Sequence, residues 1–183
     1  MHSYWEEKFV TLLKKSIKTK EEIEEMQHAR LQLEKELNTE SGELVENLKK
    51  KGINLNHIWD LVNTRESYPE AIDLLTEHLS RDYHYRNKEG IIRALGVKES
   101  GLKTIRALIQ EYPKIIQKDI KFAILNAICT ILGHHKPKVL ILETNDNEIL
   151  IKEMINYVNG KKIDPIKFSK HFEEKLKHPQ SLC

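Results

Sequence analysis

Four carboxylates, Glu66, Glu70, Asp73 and Glu77, follow one another at spacings of 4, 3 and 4 residues. On a helix this pattern lines up one acidic stripe, on the face opposite Ile72 and Leu75. Such a stripe either meets a basic partner, raising on-rate and specificity, or simply keeps a helix face solvated. A few residues on, Tyr83-His84-Tyr85-Arg86 concentrates amphipathic aromatics and a guanidinium. These side-chain types anchor protein interfaces, and loop aromatics also pin helices by packing. Arg86, Lys88 and Arg93 are placed to meet Asp82, Glu89 or carboxylates of an adjacent helix pair; for Lys88 the pairing between helix pairs is expected. Glu66, Glu70, Asp73, Glu77, Tyr83, Tyr85 and Arg86 form the candidate binding set.

Catalytic constellations are missing from the sequence. There is no glycine-rich phosphate loop, Gly-x-Ser-x-Gly elbow, His-Glu-x-x-His helix or Cys-x-x-Cys pair. No catalytic residue is therefore assigned, and neither a cofactor nor a metal is expected. Cys129, His134 and His135 match no zinc-ligand spacing, and Cys129 belongs to an apolar segment. Lys161, Lys162, Lys167, Lys170, Lys175 and Lys177, with His171 and His178, make the tail basic. That tail either holds backbone phosphates or is a solvated face interrupted by Glu173 and Glu174.

What must position these residues is an all-helical chain. The 183 residues include 21 Ile and 22 Leu but only 7 Gly and 5 Pro, and the net charge is +2. Apolar side chains suffice for a core, and the scarcity of turn formers argues against a β-rich fold. Trp5, Phe9, Leu12, Leu13 and Ile17 form a first helical stripe. Thr19 and Glu22 have capping-box spacing ahead of a second stripe, Ile23, Met26, Arg30, Leu33 and Leu37. Thr39-Glu-Ser-Gly42 reads as a linker, dividing an N-terminal helical extension, 1–40, from the remainder, 41–183. Beyond it the helices shorten. Gly52 is placed to end one, Asn54 to cap a short one, and Ser67 with Glu70 to box the next, with Pro69 in its first turn. The segment from Ile120 to Leu132 is apolar on nearly every side and reads as the most buried helix, closed by Gly133. Lys138–Leu142 is ambiguous between helix and strand. Glu148–Val158 and Pro165–Lys177 read as the last two helices.

First helices of successive pairs start near Leu55, Asn87 and Asp119, each 32 residues after the last, and second helices near Pro69 and Gly101 repeat that offset. A recurring helix–turn–helix of this period is the signature of an α-solenoid, in which each pair buries its apolar face on its neighbours. Tyr68-Pro-Glu-Ala-Ile-Asp-Leu-Leu75, Leu79-Ser-Arg-Asp82 and Lys88-Glu-Gly-Ile-Ile-Arg-Ala-Leu-Gly96 resemble HEAT repeats. More narrowly they are similar to a bacterial group of small HEAT-repeat proteins built around YPEAI and EGIxRAL. The likeness covers about residues 55–112 and is absent over 1–40. It implies a short right-handed HEAT-like α-solenoid, armadillo-like in architecture, made of antiparallel helix pairs with an added N-terminal helical hairpin.

The resemblance implies a non-enzymatic module that binds another macromolecule, most simply a protein, as adaptors and immunity proteins do. One HEAT-like branch excises alkylated bases from DNA, which makes a nucleic-acid-binding repair protein the alternative. Trp59-Asp60 is the pairing that would flank a damaged base, but adjacent helical residues point about 100° apart. Nucleic acid is not favoured as a partner, given the near-neutral charge. With no signal peptide, no apolar run longer than Val139–Leu142 and two separated cysteines, the chain reads as cytoplasmic and without a membrane partner. Oligomeric state is open, with one possibility being dimerisation through Ile23, Met26, Leu33 and Leu37.

Overall fold

A computed structural model describes residues 3–134, 146–158 and 163–177, and among these every regular element is helical. The elements are α1 (Tyr4–Leu13), α2 (Lys20–Lys50), α3 (Trp59–Asn63), α4 (Pro69–His78), α5 (Tyr85–Ala94) and α6 (Leu102–Glu111). A 3-10 turn (Tyr112–Lys114) follows, then α7 (Lys118–His134), α8 (Asp146–Val158) and α9 (Pro165–Lys177). The segment Lys138–Leu142, ambiguous in the sequence, lies outside the described residues.

The N-terminus contains the first correction. The Thr19 capping box forms as expected, with Glu22 N–H donating to Thr19 Oγ1 at 3.3 Å and Thr19 N–H to Glu22 Oε2 at 3.1 Å. The helix it starts does not stop at Thr39-Glu-Ser-Gly42, however; that tetrapeptide lies inside α2, which runs 31 residues, about 46 Å at 1.5 Å per residue. Thr39 and Ser41 turn their hydroxyls back onto the carbonyls of Lys35 and Leu37, satisfying within the helix the groups that suggested a break. α1 packs on α2, and along the stripe Leu33 is buried, Met26 and Leu37 are half-buried and Ile23 is exposed.

Two expected caps also differ. Ser67 does not cap α4; its hydroxyl donates to Glu99, and the N-cap residue is Tyr68, with Pro69 at the first position as expected. Nor does Asn54 cap α3. The turn before it is held by the Asp60 carboxylate, which accepts from the N–H groups of Asn56 (2.7 Å) and His57 (3.2 Å). Gly52, with φ of 85°, does end α2 in the left-handed conformation, whereas Gly133 sits within the final turn of α7.

From α2 onward each helix packs on the one two places later: α2 on α4, α3 on α5, α4 on α6, α5 on α7, α6 on α8 and α7 on α9. Ten-residue helices with one apolar face require this, since alone they bury too little to offset ordering. One contiguous core results, from Leu44 and Leu48 through Leu75, Ile91, Ile92 and Ile105 to Ile124, Ile128, Phe168 and Phe172. The apolar segment of α7 is buried as its composition requires, apart from Phe122. Where α5 meets α7, a Cβ added to Gly96 would stand 3.2 Å from the Ala127 Cα. Gly96→Ala should therefore cost about 1–3 kcal/mol through forced separation of the helices. Gly101→Ala, with open space around it, should stay within about 0.5 kcal/mol. Urea midpoints of the two variants check this.

Candidate functional site

The acidic stripe is placed as the spacing predicts: Glu66 precedes α4, and Glu70, Asp73 and Glu77 lie along it, all exposed. Its members are not equivalent. Asp73 accepts from Lys103 of α6 at 2.7 Å, and that ammonium holds its carboxyl below the ordinary range. The carboxylates of Glu66, Glu70 and Glu77 have no hydrogen bond or ion pair among the described residues. Glu66 and Glu70 also line a cleft of about 650 Å³ between the end of α2 and the start of α4. Lys51, Asn54, Asn56, Asp60, Thr64 and Ser67 contribute to its polar wall. Asp60 is already committed there: burial raises its carboxyl, but the N–H groups of Asn56 and His57 outweigh this and hold it low. Trp59 does not line this cleft; its indole lies over Gly90, so Trp59 and Asp60 point to different surroundings.

Tyr83, Tyr85 and Arg86 are brought together differently from the stripe. Tyr85 and Arg86 approach a residue that sequence reasoning passed over, Glu6 of α1, which is 2% exposed. Its carboxylate accepts from the Tyr85 hydroxyl and from Arg86 Nε at 2.9 Å, and contacts His84 Nε2 at 3.0 Å. Glu40 of α2 adds a second clasp, accepting from His84 N–H at 2.8 Å and from Asn87 Nδ2 at 2.7 Å. Two carboxylates thus sit at the positive N-terminal end of α5. Burial raises the Tyr85 phenol, and the Glu6 hydrogen bond adds to it. Burial also works against the Arg86 charge, but Glu6 more than restores it. The signal for Glu6 was present: it shares helical phase with Phe9, Val10 and Leu13, placing a carboxylate on an apolar face.

Tyr83 has its own anchor, its hydroxyl lying 2.7 Å from Nδ1 of buried His78. Nε2 of that imidazole has no hydrogen-bond partner, and burial followed by the Arg81 charge pushes its pKa down. Tyr83 and Tyr85 line a depression of about 370 Å³ together with Ile115 and Ile116. Lys88 also lines it, donating to the carbonyls of Leu79 (2.5 Å) and Arg81 (2.6 Å) just after α4 and standing 3.5 Å from Glu111 of α6. Burial lowers the Lys88 pKa against the pull of Glu111. The carboxylate that meets Lys88 is thus on α6, whereas Arg93 takes Glu89 of its own helix.

The remaining polar candidates are dispersed. Cys129 is buried, donates to the Ile163 carbonyl at 3.8 Å, and has its thiol pushed up to about 11 by burial. His135, Lys161, Lys162 and His178 fall outside the described residues, as does the side chain of His134. Of the tail lysines, Lys175 pairs with Glu153 and Lys177 with Glu174, while Lys167 and Lys170 are exposed. No described helix is long and apolar enough to cross a membrane. The described residues form an all-helical body with an exposed acidic stripe and an internally clasped aromatic loop. Compared with protein-family models, curated proteins and solved structures, the chain gives no match.

Two outcomes follow from these buried groups. Glu6→Ala leaves Arg86 and His84 without their carboxylate and should cost about 3 kcal/mol. Hydrogen exchange should then show residues 4–13 losing protection while α7 keeps its own. For His78, the folded-state pKa lies below the ordinary 6.5, so the unfolded chain takes up the proton first. The stability tied to its neutral form is complete above pH 6.5 and is lost as pH falls from 6.5 through the lower folded-state value. Denaturation midpoints across that window should slope in the native chain and flatten in His78→Gln.

Proposed function

We propose that this chain is a non-enzymatic HEAT-like α-solenoid module that binds a protein partner, with the face of α4 and its neighbouring cleft as the docking surface. Two features support the solenoid reading: the packing of each helix on the one two places along, and the recurrence of helix starts. α4 and α6 begin at Pro69 and Leu102, α5 and α7 at Tyr85 and Lys118, with the same offset both times. The departure is α3, a five-residue helix beginning at Trp59, which shortens the first pair.

One observation carries the binding reading. Glu66, Glu70 and Glu77 are exposed carboxylates with no hydrogen bond or ion pair among the described residues, and Glu66 and Glu70 line a preformed concavity that Lys51 also lines. A surface kept only for solubility needs no cleft beside it, and it is the cleft that sets Glu66 and Glu70 apart from other exposed carboxylates without an ion pair, such as Asp119. The complementary partner presents basic side chains on a protruding segment. Tyr83, Tyr85 and Arg86 enter this reading as a pre-organised second edge, since His78 and Glu6 hold their polar ends and leave the phenol rings along the depression. An adaptor- or immunity-like role is the form of protein binding that the HEAT likeness suggests, in a cytoplasmic setting.

Photo-crosslinking from position 77 in the native lysate, at the edge of the stripe, tests the reading. The captured protein should bind the purified chain with an affinity that falls as salt rises. Glu66→Lys with Glu70→Lys should weaken that affinity about tenfold or more, mostly through the on-rate. Capture indifferent to both changes rules out the α4 face. Turnover of a small molecule, lost on replacing one polar residue, would rule out the non-enzymatic reading.

A further inference from the structure

The cleft beside α4 has a neighbour. A second depression, of about 340 Å³, lies between the α3–α4 connection and the end of α5, with Arg65, Arg93, Lys98 and Glu99 on its lining. It shares Leu61, Thr64, Glu66, Ser67 and Tyr68 with the larger cleft, so the connection is a wall common to both. That wall is held in place by its own bonds. The Ser67 hydroxyl donates to Glu99, the Tyr68 hydroxyl donates to the Ala94 carbonyl at 3.0 Å, and Thr64 Oγ1 accepts from the Glu66 N–H at 3.1 Å.

The two hollows differ in charge. Asp60, Glu66 and Glu70 line the larger one together with Lys51. Arg65, Arg93 and Lys98 line the smaller one together with Glu66 and Glu99. Most of the charges in the smaller hollow are already engaged: Arg93 holds Glu89 at 2.8 Å, and Glu99 takes the Ser67 hydroxyl with Lys98 3.9 Å away. Arg65 differs. It is exposed, and its guanidinium has no hydrogen bond or ion pair among the described residues. Its neighbour in sequence, Glu66, lines both hollows with a carboxylate that is likewise unpaired. Consecutive Cα atoms stand about 3.8 Å apart, so one bound segment can meet both residues.

We propose, resting on the protein-docking reading of α4, that this surface continues across residues 64–68 and takes a segment of mixed charge. The segment presents a basic side chain to Glu66 and Glu70 and, within about four residues of it, an Asp or Glu to Arg65. A guanidinium fork suits a carboxylate, to which it donates two parallel N–H bonds. A wholly basic segment would set like charge against Arg65, and a nucleic acid would set phosphates against Glu66 and Glu70. Each hollow thus rejects what the other accepts, and discrimination comes from repulsion as much as from attraction.

Random dodecapeptides displayed on phage and selected on the full-length chain test it. Selected sequences should carry Lys or Arg and, within about four residues, Asp or Glu. In a synthetic peptide of the selected consensus, changing the acidic residue to Ala should weaken binding to the native chain about tenfold by fluorescence anisotropy. On Arg65→Ala the same peptide change should have no effect. Changing the basic residue to Ala should weaken binding to the native chain and to Arg65→Ala alike, but not to Glu66→Gln with Glu70→Gln. Arg65 has no partner to lose, so Arg65→Ala should keep the native melting temperature. A consensus with basic residues alone, or an acidic residue that matters equally on Arg65→Ala, overturns the mixed-charge segment and leaves the α4 reading standing. Peptides indifferent to Glu66→Gln with Glu70→Gln overturn both. A library that yields no peptide overturns the mixed-charge segment, and capture from position 77 then decides the α4 reading by itself.

Discussion

A ten-residue helix with a single apolar face has no independent stability, and α4, α5 and α6 are all such helices. Each must be covered on both flanks by other helices, and this requirement orders the whole body. It accounts for the packing of every helix on the one two places later, and for the continuity of the core from Leu44 to Phe172. It also sets where glycine is needed. Gly96 is there for the closeness of α7 more than for ending α5, and Gly90 makes room for the Trp59 indole.

Polar groups trapped by this stacking are handled by direct pairing. Lys88 closes the turn after α4 by bonding the carbonyls of Leu79 and Arg81 while facing Glu111 across the helix boundary. At the same end of this helix pair, across the connecting residues 79–84, the α5 N-terminus receives Glu6 and Glu40. A buried carboxylate with three partners contributes to register more than to net stability, because desolvation offsets much of the attraction. Glu6 is therefore best understood as the group that decides where α1 lies. The Tyr85 hydroxyl is held by Glu6 and that of Tyr83 by His78, and anchoring of this kind lowers the ordering cost when an aromatic side chain takes part in recognition.

Much of this was readable from residue types. The stripe Glu66, Glu70, Asp73, Glu77 is exposed as its spacing required, because helical phase alone sets which side chains share a face. The burial of α7 followed from its composition. Local hydrogen-bond patterns were less reliable. Thr19 and Glu22 formed their box, but Ser67 found Glu99, a carboxylate 32 residues away, and so left the α4 N-terminus without a side-chain cap. Thr39-Glu-Ser-Gly42 failed as a linker for a related reason: the hydroxyls satisfied themselves on the preceding turn, and α1 together with α4 and α5 supports the helix on either side.

Element type, the apolar faces and the acidic stripe were determined by sequence alone, because each depends on periodicity within ten or twenty residues. Tertiary structure decided the identity of every long-range partner. That Arg86 meets Glu6 rather than Asp82, that Asp73 pairs with Lys103 while Glu66, Glu70 and Glu77 form no ion pair, and that a cleft opens beside Glu66 and Glu70 all depend on distances between separate helices. The same is true of Leu13, Ile17 and Ile23, which belong by spacing to apolar stripes and are left exposed. Periodicity assigns each side chain to a face, but only the packing of helices far apart in sequence determines which faces are covered and which charges remain free.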